Sequence, residues 1–461
     1  SMSPRARSLL LATLLVLAVG TRDASAQEGE RGPIYVVLEG DTLIAIASRF
    51  GTTVAALVEA NGIVDPSSIQ PGMELFIPGF EGVSGVLTIH EVAFGESAAA
   101  LAMAYHLPLA SFEKLNRLVI PGRLYVGQAA VVPEPVSGSP ANARTEFLKE
   151  GQGLLEGAVL WDTNPWLISG DSASLWKLAE EAVYIAGGEE LPRDLPVGLE
   201  QVALDPLTLV QGRTAVVHAT AAPGTTLSGE LAGHALNFVL EDSESGAWAG
   251  LQGIHALQPP GLVDFELRLE ADGVARSFLQ PVRVIDGGYT RETLQVPSET
   301  LDPANTVPED AHIAEIVSVF TTERLWSSIF QFPAAYFETF PSRFGTRRSY
   351  NGSAYSYYHT GLDLYGNPKT PVLAPAPGRV VFAGPLAVRG NATYIDHGWG
   401  VYTGYLHQSE ILVAPGDLVE TGDTIGMVGA TGRVTGAHLH WEIWVGGVPV
   451  DPLEWTERVM P

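Results

Sequence analysis

Four histidines and one aspartate stand in three short stretches near the end of the chain. His359 and Asp363 are four residues apart, His407 closes a Tyr-x-His stretch, and His438 and His440 flank a leucine. Imidazole and carboxylate donors without thiolates are the ligand chemistry of a catalytic zinc, whose three protein ligands leave one position for water. The region from His359 to His440 therefore predicts a zinc site for hydrolysis.

The spacing around His440 predicts how a sheet presents these side chains. Residues two apart on a strand share a face, so His438, His440 and Glu442 are expected to point one way. Leu439 and Trp441 are then expected to point into apolar packing. Two alternatives stand for Glu442: a hydrogen bond to a ligand histidine, or a solvated carboxylate.

The surrounding residues predict an all-β domain over residues 342–461. Short apolar runs alternate with glycines and prolines that mark tight turns. His397, in Asp-His-Gly, is expected to be structural and to have no role at the metal. The strand candidates are residues 371–373, 379–383, 392–396, 401–406, 424–428 and 438–445.

Three motifs in this domain resemble a known family. They are His-x-x-x-Asp from His359, Tyr-x-His ending at His407, and Thr-Gly-x-x-Thr-Gly-x-His-Leu-His-x-Glu, which contains His438 and His440. Their order and spacing resemble the lysostaphin/LytM-type metallopeptidase domain. The resemblance implies that His359, Asp363 and His440 bind zinc, that His407 and His438 are catalytic, and that the protein is a peptidoglycan endopeptidase, a murein hydrolase.

Residues 34–134 contain an internal repeat with an offset of 55 residues. Glycine, asparagine and proline positions recur at this offset without a gap, and apolar positions recur at the same offset. Two similar units are the economical explanation of such a register. The matched pairs include Gly40 with Gly95, Asn61 with Asn116, Gly72 with Gly127 and Pro78 with Pro133.

Each repeat has the pattern of a strand, two helices and a strand. Gly-Asp-Thr-Leu from Gly40 and the asparagine after the second helix resemble the LysM domain, placed at residues 34–79 and, in a degenerate copy, at residues 88–134. The resemblance implies binding to N-acetylglucosamine-containing glycan such as peptidoglycan. Glu96-Ser97-Ala98 departs from the pattern, so the second copy is expected either to bind glycan or to serve as a spacer.

The middle of the chain has no catalytic motif. Residues 145–192 favour a helical segment, with Trp161, Trp166 and Trp176 as core candidates. Residues 197–288 show short alternating runs between Gly and Pro clusters, typical of an immunoglobulin-like β-sandwich. Residues 310–341 are expected to be a packed linker or a lid. His218, His234 and His255 are interpreted as structural, with a second metal site as the alternative.

The amino-acid composition excludes several classes of binding partner and metal site. The chain has 461 residues, a formal net charge of −26 and no cysteine, so it has no disulfide and no thiolate zinc site. The negative charge argues against nucleic acid. Residues 1–26 have the pattern of a signal peptide, with an apolar run too short to span a bilayer. After cleavage of the signal peptide, we expect no stable membrane insertion. We expect the protein to be secreted and to act in the cell wall or periplasm.

These patterns together predict a multidomain, mainly β protein that ends in the peptidase domain at residues 342–461. The predicted function is zinc-dependent cleavage of peptidoglycan cross-links or stem peptides, with LysM units that hold the enzyme on the glycan. Two alternatives stay open at this stage: a non-enzymatic wall-binding regulator of an amidase, and a peptidase that acts on non-wall peptides.

Overall fold

The computed structural model describes residues 32–80, 82–120, 122–134, 142–149, 151–164, 168–169, 182–187, 191–271, 273–334 and 339–461. The predicted signal peptide, residues 1–26, lies outside these ranges. The chain divides into two compact units. The first comprises Ser1–Val92, Glu96–Leu124 and Gln128–Asp194, and the second comprises Ala93–Gly95, Tyr125–Gly127 and Leu195–Pro461.

Two repeated βααβ units come first among the described residues, as the sequence predicts. In each repeat the two strands pair antiparallel. The elements are β1 (Ile34–Val36), α1 (Leu43–Phe50), α2 (Val54–Asn61), β2 (Glu74–Phe76), β3 (Leu87–Glu91), α3 (Ala98–Ala104), α4 (Leu109–Leu115) and β4 (Ala129–Pro133).

The recurring asparagine explains why the repeat keeps its register. Asn61 Oδ1 accepts the Phe76 amide at 2.7 Å, while its Nδ2 donates to the carbonyls of Leu57 and Phe76. Asn116 makes the same set of bonds, with Val131 in the place of Phe76. One side chain in each repeat thus ties the end of the second helix to the closing strand.

A small sheet with one helix follows the repeats. It contains β5 (Ala143–Phe147), α5 (Leu154–Leu160), β6 (Ile168–Ser169) and β7 (Ala182–Ala186), in the order β5-β7-β6. The predicted helical segment at residues 145–192 is therefore helical only at α5 among its described residues. Val183, Tyr184 and Ile185 have β-branched or aromatic side chains that favour a strand. Trp166 and Trp176 lie outside the described residues.

A β-domain follows at the predicted position and has one hydrogen-bonded path of eight strands. The order is β8-β10-β13-β12-β11-β14-β15-β9, with only β9 and β15 parallel. Alternate residues of these strands are buried in a shared core. The strands are β8 (Leu199–Asp205), β9 (Leu209–Val210), β10 (Thr214–Ala221), β11 (Thr226–Leu231), β12 (His234–Asp242), β13 (Ala247–Gly253), β14 (Gly261–Ala271) and β15 (Val274–Ile285).

The last domain consists mainly of short strands, and the six predicted strand positions are all occupied by strands. Its main sheet has the order β19-β27-β23-β22-β21-β25, with β28 on β27. The elements are β16 (Arg291–Leu294), a 3₁₀ turn (Ser298–Leu301), α6 (Pro303–Val317), β17 (Arg347–Tyr350), β18 (Tyr357–Tyr358), β19 (Leu362–Leu364), β20 (Pro371–Leu373), β21 (Gly378–Leu386), β22 (Gly390–Gly398), β23 (Val401–Gln408), β24 (Glu410–Ile411), β25 (Leu418–Val419), β26 (Thr424–Met427), β27 (Leu439–Val445), β28 (Val448–Val450) and α7 (Pro452–Glu457).

The main sheet of the last domain shares its apolar core with the preceding β-domain. Leu251 of β13 belongs to the same buried cluster as Trp441 of β27 and Trp455 of α7. The Thr214 amide donates to Glu454 Oε1 at 2.7 Å across the same boundary. These contacts lie inside the second compact unit, so the β-domain stabilises the sheet that carries the predicted site.

The segment predicted as a linker or lid, residues 310–341, begins within α6. Trp326 is 2% exposed and Phe330 is 1% exposed, and both belong to the shared core. Trp326 Nε1 also donates to the Met460 carbonyl at 2.7 Å. These contacts favour the packed-linker alternative for the described part of the segment.

Among the described residues, no single helix is long and apolar enough to cross a membrane. The pair α1 and α2 meets that test only jointly, and the two helices are bent by 103° at their break.

Candidate active site

Three neighbouring strands carry three of the five predicted site residues. Asp363 of β19 stands opposite His440 of β27, and Leu406 of β23 stands opposite His440 on the other side. His407 is the next residue of β23. His359 lies just before β19, where its amide donates to the Thr346 carbonyl at 2.9 Å.

One atom from each of three side chains points to a common centre. His359 Nε2 lies 2.9 Å from Asp363 Oδ1 and 2.9 Å from His440 Nδ1. His440 Nδ1 lies 2.8 Å from Asp363 Oδ1. All three residues are buried, and they form the single group of this kind within the part of the chain that the structure describes.

The hydrogen bonds on the far side of the two rings indicate which nitrogens carry protons. His359 Nδ1 lies 3.0 Å from the Arg343 carbonyl, and His440 Nε2 lies 3.2 Å from Glu442 Oε1. A carbonyl and a carboxylate only accept, so these two nitrogens donate. When both rings are neutral, His359 Nε2, His440 Nδ1 and Asp363 Oδ1 are left with lone pairs that face one another.

Such a convergence of lone pairs is repulsive unless a proton or a metal ion lies among them. Two imidazole nitrogens and one carboxylate oxygen are a donor set that suits zinc, and partners on the outer side of each histidine are the usual support of a ligand. The residues present therefore fit the zinc ion that the sequence predicts.

Glu442 is completely buried and accepts hydrogen bonds from several side chains. In addition to His440, its donors are Thr360 Oγ1 at 2.6 Å, Tyr394 OH at 3.0 Å and Trp444 Nε1 at 2.9 Å. Burial raises the pKa of Glu442, but the hydrogen bond from His440 and neighbouring positive charge outweigh it and hold the pKa below its usual value. Of the two alternatives for Glu442, the solvated one is wrong.

The pKa values of the three candidate ligands follow from burial and from their contacts. Burial lowers the pKa of His359 to about 4. Burial also opposes charge on His440, but the bonds to Asp363 and Glu442 raise its pKa to about 8. Burial raises the pKa of Asp363, yet its contacts with His359 and His440 hold it well below the usual value. The carboxylate is thus ionised at neutral pH and available to a cation.

His407 and His438 stand beside this group. Their ring centres are 5.1 Å apart, and His438 Nε2 lies 3.6 Å from Asp363 Oδ1. His407 Nδ1 donates to the Thr431 carbonyl at 2.8 Å, and His438 Nδ1 donates to the Gly436 carbonyl at 2.9 Å. Each ring is held through Nδ1, so Nε2 is the nitrogen available for chemistry.

The backbone and burial of His407 are unusual. Its φ is +64°, in the left-handed region that non-glycine residues rarely adopt and that recurs at functional sites. Burial, together with His440 and His438, lowers the pKa of its imidazole to about 3. His407 is therefore neutral at physiological pH.

All five predicted site residues thus lie together, and the other histidines lie elsewhere. His397 has both ring nitrogens occupied, by the Pro377 carbonyl at 2.7 Å and Thr403 Oγ1 at 2.8 Å, as expected of a structural histidine. His255 contacts Tyr358, with its Nε2 3.3 Å from the phenol oxygen. Sequence reasoning missed Thr360 and Arg348, whose contacts with the site no motif signals.

Two family profiles match parts of this sequence. Residues 357–452 match the sequence profile of Peptidase family M23. Residues 35–78 and 90–133 match the LysM domain. The sequence-based assignment to a LysM-containing, lysostaphin/LytM-type peptidase is confirmed at the level of these domains.

Individual relatives resemble only part of the chain. The DD-carboxypeptidase/endopeptidase Mpg of Neisseria meningitidis is 46% identical over 95 residues, which are 21% of this chain and 22% of that protein. The peptidoglycan DD-endopeptidase ShyA of Vibrio cholerae is 41% identical over 113 residues, 24% of this chain and 26% of that protein. The matches thus span about a quarter of the length of these relatives.

Among solved structures, a crystal structure of an M23 peptidase from Pseudomonas aeruginosa superimposes with a TM-score of 0.41. The two sequences are 26% identical, and the match covers 54% of this chain and 94% of the other.

Proposed function

We propose, on the premise that residues 357–452 form an M23 peptidase domain, that this chain is a zinc-dependent endopeptidase that cleaves peptidoglycan cross-links or stem peptides. The observation that carries the proposal is the convergence of ligand atoms from His359, Asp363 and His440, with His407 and His438 at their side. The similarity to a peptidoglycan DD-endopeptidase and to a DD-carboxypeptidase/endopeptidase favours peptidoglycan as the substrate.

His359, Asp363 and His440 would hold the zinc ion. A bound zinc ion would supply Lewis-acid chemistry and would lower the pKa of a water molecule. Glu442 keeps the Nε2 proton on His440 and directs its Nδ1 lone pair inward, and the Arg343 carbonyl does the same for His359 through Nδ1.

His407 and His438 would handle protons and charge at the substrate. The neutral His407 presents Nε2 as a hydrogen-bond acceptor that orients the attacking water. His438, also held through Nδ1, presents Nε2 on the same side. When Nε2 also carries a proton, it donates to the developing oxyanion and passes that proton to the leaving amine, while His407 Nε2 takes up the proton that the water loses.

The LysM repeats would hold the enzyme on the glycan. A neutral sugar polymer suits a chain with net charge −26, because its recognition needs hydrogen bonds and apolar contacts rather than cations. A bound anchor raises the local substrate concentration, so the peptidase domain can bind each peptide weakly. The site of action would be the cell wall or periplasm, reached by secretion.

Digestion of purified sacculi tests the proposal. The wild-type chain, loaded with zinc, is incubated with sacculi, and the released muropeptides are identified by mass spectrometry. We expect peptide-bond cleavage products that disappear with a chelator and with His407→Ala. Cleavage of a panel of free peptides while the sacculi stay intact would instead indicate a peptidase for non-wall peptides. A wild-type chain that binds no added zinc and releases no product would contradict the enzyme.

A further inference from the structure

The two oxygens of Asp363 have different surroundings. Oδ1 faces His359 and His440 at 2.9 Å and 2.8 Å. Oδ2 faces away from the histidines, toward Nη2 of Arg348 at 3.6 Å. The carboxylate thus lies between the candidate metal position and a guanidinium.

Two further side chains hold the guanidinium of Arg348. Its Nε donates to Glu292 Oε1 at 2.5 Å, and its Nη2 donates to Ser342 Oγ at 3.0 Å. The Ser342 hydroxyl donates in turn to Glu292 Oε1 at 3.2 Å. The side chain of Arg348 is only 14% exposed, so this arrangement is sheltered from water.

The backbone joins the same groups. Glu292 of β16 and Arg348 of β17 are Cα partners in a parallel pair of strands. The amide of Asp363 donates to the Ser342 carbonyl at 3.0 Å. Ser342 therefore contacts both the main chain of Asp363 and the side chain that faces it.

We propose that Arg348 is a positioning residue for the zinc site: it holds Asp363 Oδ2, so that the carboxylate offers only Oδ1 to the metal, while Glu292 and Ser342 orient its guanidinium. A carboxylate held by one oxygen leaves a coordination position for water. The flat guanidinium keeps this orientation better than a flexible ammonium. Glu292, Ser342 and Arg348 all lie outside the residues that match the peptidase family.

This inference rests on the proposed zinc function, so metal binding rather than turnover is the primary measurement. Arg348→Met removes the guanidinium and keeps the length of the side chain. The matched control is Arg347→Met. The side chain of Arg347 lies on the opposite face of β17, where it donates to the Ala256 carbonyl at 2.6 Å. Arg348→Lys tests whether charge alone suffices.

Zinc affinity is measured by competition with a chromophoric chelator, and coordination by the visible spectrum of the cobalt-substituted protein. We expect Arg348→Met to weaken zinc binding about 10- to 100-fold and to alter the cobalt spectrum, as loss of a partner behind a ligand does elsewhere. Arg348→Lys should fall between Arg348→Met and the wild type, and Arg347→Met should match the wild type in both measurements.

If Arg348→Met fails to fold, Glu292→Gln tests the same proposal. It keeps Arg348 but weakens its hold, so a smaller loss of zinc affinity is expected in the same direction. Wild-type zinc affinity and an unchanged cobalt spectrum in folded Arg348→Met or Glu292→Gln would overturn the inference. Absence of zinc binding in the wild type would instead overturn the proposed function.

Discussion

His440 and Glu442 lie on one face of β27, with His440 Nε2 3.2 Å from Glu442 Oε1. The carboxylate is completely buried, so this contact has no competition from water. It sets the tautomer of His440 and turns Nδ1, rather than Nε2, toward Asp363. The chemistry proposed for the site therefore depends on a residue that would not touch the metal.

Glu442→Gln is expected to weaken zinc binding and to destabilise the fold. The amide would place an NH₂ group where the carboxylate accepts bonds from Tyr394 and Trp444. One buried donor left without an acceptor costs about 1–3 kcal/mol. Calorimetric zinc titration and urea unfolding of the metal-free protein measure the two effects. Wild-type values for both would show that the buried charge has no role.

His440→Ala and His407→Ala should separate metal binding from turnover. His440 supplies one of the three converging atoms, so His440→Ala is expected to lose zinc and activity together. His407 lies beside them, so His407→Ala is expected to keep zinc and lose about 10²- to 10⁴-fold in kcat. Zinc content by atomic emission, with turnover on cross-linked muropeptides, checks both. Stoichiometric zinc in His440→Ala would contradict the ligand assignment.

His397 should make the fold sensitive to acid. Burial lowers its pKa from 6.5 to about 4, so below pH 6.5 the unfolded chain binds a proton that the folded chain does not. The contribution of His397 to the free energy of unfolding is therefore complete above that pH and is lost as the pH falls toward 4. Near pH 5 the loss is about 2 kcal/mol.

The measurement is urea unfolding in chelator, near neutral pH and near pH 5. His397→Gln retains a donor and an acceptor for Pro377 and Thr403 but does not titrate. The variant is expected to lose less stability in acid than the wild type. Equal losses in the two proteins would show that the acid sensitivity has another origin.

The shared core predicts that the β-domain and the peptidase domain unfold together. Leu251 of β13 is 4% exposed within that core, whereas Leu279 of β15 is 61% exposed. Leu251→Ala should cost about 2–5 kcal/mol and lower the temperature at which peptidase activity is lost, because the truncation leaves a cavity. Leu279→Ala serves as the control and should be neutral. Separate thermal transitions for the two domains would refute the coupling.

The first repeat is expected to carry wall binding. Leu38 and Ile44 are 57% and 74% exposed there, apolar surface that is available to the face of a sugar ring. Leu38→Glu combined with Ile44→Glu should reduce co-sedimentation with sacculi and leave cleavage of soluble muropeptides intact. Val307→Glu, at a 62% exposed position of α6, is the control. If the double variant co-sediments as well as the wild type, these side chains do not contact the glycan.

Much of this molecule is predictable because the relevant signals are local. The offset between Asn61 and Asn116 reveals the repeat, since each asparagine ties its own helix to its own strand. Alternation along β27 places His440 and Glu442 on one face, because successive side chains of a strand point in opposite directions. Among the described residues of 145–192, the helical prediction is wrong outside α5, because strand pairing with β5 selects the β-branched residues of β7.

The sequence by itself determined which side chains are available for the site: two imidazoles and a carboxylate, which are the donor types of a zinc site, and two further histidines in the same domain. Only the tertiary structure decided which nitrogen of His440 faces inward, that Glu442 is buried, and that Arg348 stands behind Asp363. The physical reason is that residue type and spacing act along the chain, whereas these contacts depend on strand register and packing between segments far apart in sequence.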